Sequence, residues 1–126
     1  MAQDGNTIRD YRDLTVWREA MSLAELVYAM TADFPASEQQ GLTRQMRRVS
    51  VSIPSNIAEG FGRAQRKPFI AFLRVAQGSL KELETQVELS TRLGFVKPDI
   101  SAGVLSVTER LGKRLVTYVR SLEKTG

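Results

Sequence analysis

Apolar residues recur by threes and fours through four stretches of the chain, the spacing of helices that each bury one face. The first stretch, about residues 13–34, sets Leu14, Trp17, Met21, Ala24, Tyr28 and Thr31 or Phe34 on one face. Asp10 and Asp13 stand near its start, where a carboxylate suits the positive end of the helix dipole. Pro35 stops it, because the residue before a proline avoids the α region. Ser37, with Gln40 three residues on, has the pattern of a capping box for a second helix over about 38–60. Its stripe is Leu42, Met46, Val49, Ile53 and Ile57. Pro54 lies inside that helix and removes the hydrogen bond to the Ser50 carbonyl. The stripe stays in phase through Ile57, so the spacing predicts one helix kinked at Pro54, closed by Gly60-Phe61-Gly62.

Pro68 suits the first turn of a third helix, about 67–93, where its missing N–H is not needed. The stripe there runs Phe69, Phe72 or Leu73, Ala76, Leu80, Leu83, Val87 and Ser90, and Gly94 ends it. Gly78 inside it costs about 1 kcal/mol relative to Ala, and beside Ala76 and Ser79 it suggests the close approach of another helix. Pro98-Asp99 opens a fourth helix, about 99–123, with Ile100, Val104, Val107, Leu111, Leu115, Tyr118 and Leu122 on one face.

Four such helices joined by short loops predict an all-α, antiparallel up-down-up-down four-helix bundle. It would form one domain over residues 1–126, with a short polar tail at 1–10. Two helices carry a second apolar stripe: Val16, Leu23, Val27 and Met30 on the first, and Leu105, Gly112, Val116 and Val119 on the fourth. Either the core-facing arc is wide, or these stripes meet further copies of the chain.

Composition narrows the chemistry. The chain has no Cys and no His, which removes thiolate nucleophiles, imidazole acid–base pairs, Ser-His-Asp triads and Cys/His zinc sites. An enzyme is therefore not expected, nor a cofactor. Disulfides are excluded too, no stretch is long and apolar enough to span a bilayer, and the polar N-terminus lacks a signal-peptide layout; a cytoplasmic protein is expected. Glu84 and Glu88 lie one turn apart, but a bundle di-metal site needs a Glu-x-x-His element, so both are expected to face solvent and to bind no metal.

Charge is unevenly spread within a net +4. Residues 1–39 hold three cations against seven carboxylates, whereas residues 40–74 hold seven cations against Glu59 alone. Such asymmetry marks either a nucleic-acid surface or two faces of one protein that meet. Arg44, Arg47, Arg48, Arg63, Arg66 and Lys67 bracket the second helix and the loop after it. Arg110, Lys113, Arg120 and Lys124 share a face of the fourth. Arginine outnumbers lysine 13 to 5, which suits phosphate recognition, and the absence of a free aromatic platform points to backbone charge rather than base sequence. One flank of the second helix carries Gln45, Arg48, Ser52, Asn56 and Glu59, expected to form a polar network between helices rather than a solvated flank.

The run Phe34-Pro35, Glu38, Gly41-Leu42-Thr43-Arg44-Gln45-Met46-Arg47-Arg48 and Ser52-Ile53-Pro54-Ser55-Asn56-Ile57-Ala58-Glu59-Gly60 resembles the four-helix bundle proteins encoded in intervening sequences of bacterial 23S ribosomal RNA genes. Leu14-x-x-Trp17, Val27-Tyr28 and Phe72-Leu73-x-x-Ala76-x-Gly78-Ser79-Leu80-x-Glu82-Leu83 resemble its first and third helices. The resemblance implies an antiparallel bundle assembled into a ring-like homopentamer, and it makes Gln45, Ser52, Pro54, Asn56, Glu59 and Gly60 motif positions. It implies no catalytic residue. A related branch, the accessory variability proteins of diversity-generating retroelements, is more basic and works with a reverse transcriptase and nucleic acid. The expectation is a homo-oligomeric scaffold that binds structured RNA, DNA or a nucleic-acid-processing protein through its arginines. The alternative is a protein–protein adaptor whose basic residues serve subunit or partner contacts.

Overall fold

The computed structural model describes residues 7–124. Four helices follow in order: α1 (Thr15–Thr31), α2 (Leu42–Gly62), α3 (Arg66–Arg92) and α4 (Pro98–Lys124), with single 3-10 turns at Tyr11–Asp13 and Ala36–Glu38. Each helix packs on its neighbours in sequence, and α1 closes the square against α4, while the diagonal pairs stay apart. That is the up-down-up-down bundle the spacing predicts. No helix among the described residues is long and apolar enough to cross a membrane.

The ends are set by local chemistry. Before α1 the Asp13 carboxylate accepts the backbone N–H groups of Arg9 (2.9 Å) and Asp10 (3.0 Å), which hold its carboxyl below the ordinary range. The Ser37–Gln40 box does not form. Instead Glu38 reaches forward, and its Oε1 accepts the Leu42 N–H at 3.0 Å, satisfying a first-turn donor of α2. α2 runs unbroken through Pro54 as far as Gly62, two residues past the expected end. α3 ends in a Schellman motif: Gly94 takes φ +79°, Phe95 N–H bonds to the Ser90 carbonyl (2.9 Å) and Gly94 N–H to that of Thr91 (3.0 Å). Phe95 then stacks at a tilt on Phe34, 5.7 Å away.

The core departs from expectation chiefly in α1. Val16, Ala20, Leu23, Val27 and Met30 face inward, so the second stripe is buried together with Leu14, Ala24, Thr31 and Phe34 of the first. Trp17 is half-buried, while Met21 (41%) and Tyr28 (44%) are exposed. On α4, Val104, Leu111, Leu115, Tyr118 and Leu122 are buried as expected, Val107 is half-buried, and Ile100 is exposed. Its second stripe divides: Val119 is buried, Leu105 half-buried and Val116 exposed.

Gly60 explains the tightest crossing. A Cβ there would lie 2.5 Å from the Phe72 Cβ and 3.1 Å from Phe69 Cδ1, so α2 and α3 meet through a hydrogen atom. Gly78 does the opposite of what its neighbours suggest. It is exposed, with nothing within 4 Å of where a Cβ would stand.

Candidate functional site

The helix lengths divide the basic residues. α2 rises about 1.5 Å per residue, which separates Arg44 from Arg63 by nearly 30 Å. The six cations that bracket α2 therefore sit at opposite ends of the bundle and form no single patch.

At the first end Arg47 is committed to the fold. Its Nε donates to Thr31 Oγ1 (2.9 Å), its Nη2 to the Tyr28 carbonyl (3.3 Å), and its guanidinium covers the Tyr28 ring at 4.6 Å. It thus places a cation at the C-terminal end of α1, where the helix dipole favours one. Arg44 donates to Gln40 Oε1 at 3.0 Å. Arg48 is exposed and lines the wall of two shallow grooves, one with Tyr28 and Val51 and the other with Gln45, Ser52 and Glu82.

At the other end the turn between α2 and α3 meets the last turn of α4. Arg66 reaches the Leu122 carbonyl at 3.4 Å, and Arg74 of α3 pairs with Glu123 of α4. Arg63 pairs with Glu59 one turn back (3.0 Å) and lies over Phe72 at 5.1 Å. Lys67, Arg120 and Lys124 are exposed there. The chain passes between the two helices with Ala64 at φ 59°, the left-handed region. The Arg66–Leu122 contact thus sets the last turns of α4, which carry Arg120 and Lys124, against the turn with Arg63, Arg66 and Lys67. Lys113 and Arg120 continue along the α3/α4 groove, where Lys81 of α3 faces them; Arg110 lies exposed toward the middle of α4.

The polar flank of α2 is not a network between helices. Ser52 Oγ donates to the Val49 carbonyl (2.6 Å) and Asn56 Nδ2 to that of Ser52 (2.7 Å), both within α2. Gln45, Arg48 and Glu59 are exposed. With Ser50 Oγ on the Arg47 carbonyl (2.9 Å), these short side chains give the helix around Pro54 extra local bonds. Glu84 also departs from expectation. It is largely covered, accepting from Thr108 Oγ1 of α4 at 2.8 Å and pairing with Lys81 at 3.0 Å, whereas Glu88 is exposed. A second tie joins α1 to α4 through Glu19 and Arg114 (3.0 Å).

Sequence reasoning missed an apolar groove of about 580 Å³ between α1 and α2. Trp17, Met21 and Tyr28 of α1 form one wall, and Val51, Pro54 and Ala58 of α2 the other. The signal that could have found it was the doubled stripe of α1, which leaves one apolar side without a neighbour. A second concave patch, about 630 Å³, lies between α1 and α4, with Leu26, Phe95, Val96 and Ile100 in its wall.

Fold and surface together define an antiparallel four-helix bundle with cations gathered at both ends and apolar grooves on two sides. The family model of 23S rRNA-intervening sequence proteins matches residues 12–117, and the chain belongs to that family. The bundle is similar to the crystal structure of a protein of unknown function in the S23 ribosomal protein family of Bacteroides thetaiotaomicron. The TM-score is 0.75 at 20% identity, over 83% of this chain and 98% of that one. No protein with curated annotation matches.

Proposed function

We propose that the protein is a non-enzymatic, homo-oligomeric scaffold of the cytoplasm that binds the backbone of structured RNA at the end where α2, α3 and α4 meet. The observation that carries this reading is the Arg66–Leu122 contact, which sets the last turns of α4, with Arg120 and Lys124, against the turn that carries Arg63, Arg66 and Lys67. Four of the five, Arg66, Lys67, Arg120 and Lys124, are exposed without an ion-pair partner among the described residues, so phosphates would meet cations that the fold has not already neutralised.

Self-association is supported by unlike apolar surfaces on different faces. The α1/α4 patch is concave, whereas Leu89 and Leu93 stand out from α3 at 46% and 53% exposure. Complementary patches on different faces join head to tail, and closure of such contacts gives a ring. Sedimentation of Leu89→Glu and Ile100→Glu, apart and mixed, tests this. Each alone should fall to a monomer, and the mixture should form pairs through the one intact contact left on each partner. Unchanged assembly in both variants would place the contacts elsewhere.

RNA binding is tested by titrating a structured RNA at several salt concentrations. Five phosphate contacts predict a log–log slope of about −3.5 to −4.5. A flat response, or no binding at low salt, would favour the adaptor reading.

A further inference from the structure

The α1/α2 groove is not used by RNA binding at the far end of the bundle, and its lining describes a different ligand. Two hollows share Tyr28 and Val51 in their linings, so they adjoin end to end along the channel between α1 and α2. From Trp17 to Tyr28 it is apolar, with Glu25 the one charged side chain in its lining, a run of about 16 Å or three helical turns. Beyond Tyr28 it becomes cationic, walled by Arg44, Arg47 and Arg48. We propose that this channel receives an amphipathic helix of a partner protein, apolar along three turns and carrying carboxylates in its last turn.

A channel between two helices accepts a third helix through anchors spaced i, i+4, i+7 and i+11. Met21 and Val51, exposed at 41% and 43%, would lose water on such docking. The arginine end fixes direction. Carboxylates in the last turn and the negative end of the ligand helix dipole both belong beside Arg44 and Arg48. Arg47 cannot leave Thr31 and Tyr28 without uncapping α1, so its charge stays in place as a fixed part of the site.

Two of the chain's own apolar surfaces fit this channel poorly. The Leu26–Ile100 patch is itself concave, and two hollows do not fill each other. The Leu89–Leu93 ridge of α3 is exposed but has both Glu88 and Arg92 beside it, charges that cancel and leave the arginine end without a match.

Trp17, the one tryptophan of the chain, lies in the channel wall and reports its occupancy. The probe is a synthetic helical peptide of 16 residues with a leucine and alanine face, two glutamates in the last turn and a free C-terminal carboxylate. Its comparator has lysines in their place and an amidated end. Trp17 emission should shift with the acidic peptide, and the basic one should bind about tenfold or more weakly. Val51→Glu and Met21→Glu, both at exposed positions and checked for unchanged helical content, should each abolish the response. Equal response to both peptides, or none to either, would overturn the proposal. So would Trp17 emission that depends on protein concentration alone and loses that dependence in Val51→Glu, which would make the channel a contact between copies. None of these results depends on whether RNA binds at the other end.

Discussion

Gly60→Ala isolates the crossing of α2 and α3 in one methyl group. By helix propensity alone the change should stabilise α2 by about 1 kcal/mol. Against that, the new Cβ would stand 2.5 Å from Phe72 Cβ, more than 1 Å inside normal carbon contact, and also 3.1 Å from Phe69 Cδ1. Phe72 Cβ is fixed to the α3 backbone and has no rotamer that removes it, so relief requires the helices to part. Overpacking of this kind costs about 1–3 kcal/mol, and separation of the helices also loosens Phe69 against Phe61 and Tyr118, its edge-on partners at 5.8 and 5.7 Å. The net expectation is a loss of about 1–2 kcal/mol, read as a lower urea midpoint with unchanged m. Gly78→Ala is the matched control. With nothing within 4 Å, it should gain about 0.5–1 kcal/mol. If Gly60→Ala were as stable as the parent or more so, the claimed contact would not exist.

Other positions test other parts of the account. Leu111→Ala, at a fully buried site on α4, should cost about 2–5 kcal/mol in urea unfolding; a loss below about 0.5 would refute its place in the core. Ala64→Gly should stabilise the fold by about 0.5–1 kcal/mol, read as a higher urea midpoint, because the left-handed turn penalises a Cβ more than glycine costs in chain entropy. Burial pushes the Tyr118 hydroxyl up to about 12, so its neutral form is favoured by folding. That contribution is complete below the ordinary value of 10.0 and is lost as pH rises toward 12, and Tyr118→Phe should flatten the alkaline limb of a stability–pH curve.

The bundle was legible because proline and glycine punctuate the chain and α2 and α3 each have one dominant apolar face. α1 has two. Leu14, Ala24, Thr31 and Phe34 of the first stripe are buried as read, but its middle, Trp17, Met21 and Tyr28, turns outward while Ala20, Leu23 and Val27 pack inside. Periodicity gives the angle between stripes but not which one meets the bundle. The basic residues were visible, yet their grouping was not: adjacency in sequence hid the length of α2, and only the return of α4 brings Arg120 and Lys124 to the α2–α3 turn. Glu84 was misjudged for the same reason, since its partner Thr108 lies on another helix at no characteristic spacing. Gly60 and Gly78 look alike in sequence, and the difference between them is entirely in what α3 and α2 place opposite.

The most direct test sets the two ends against each other in one RNA titration at fixed low salt. Arg66→Glu, Lys67→Glu and Arg120→Glu are combined in one variant, Arg44→Glu and Arg48→Glu in another, both with the parent's assembly mass. The account predicts that the first loses binding by several orders of magnitude and that the second stays within about tenfold of the parent. Loss confined to the Arg44/Arg48 variant, or equal loss in both, would contradict it.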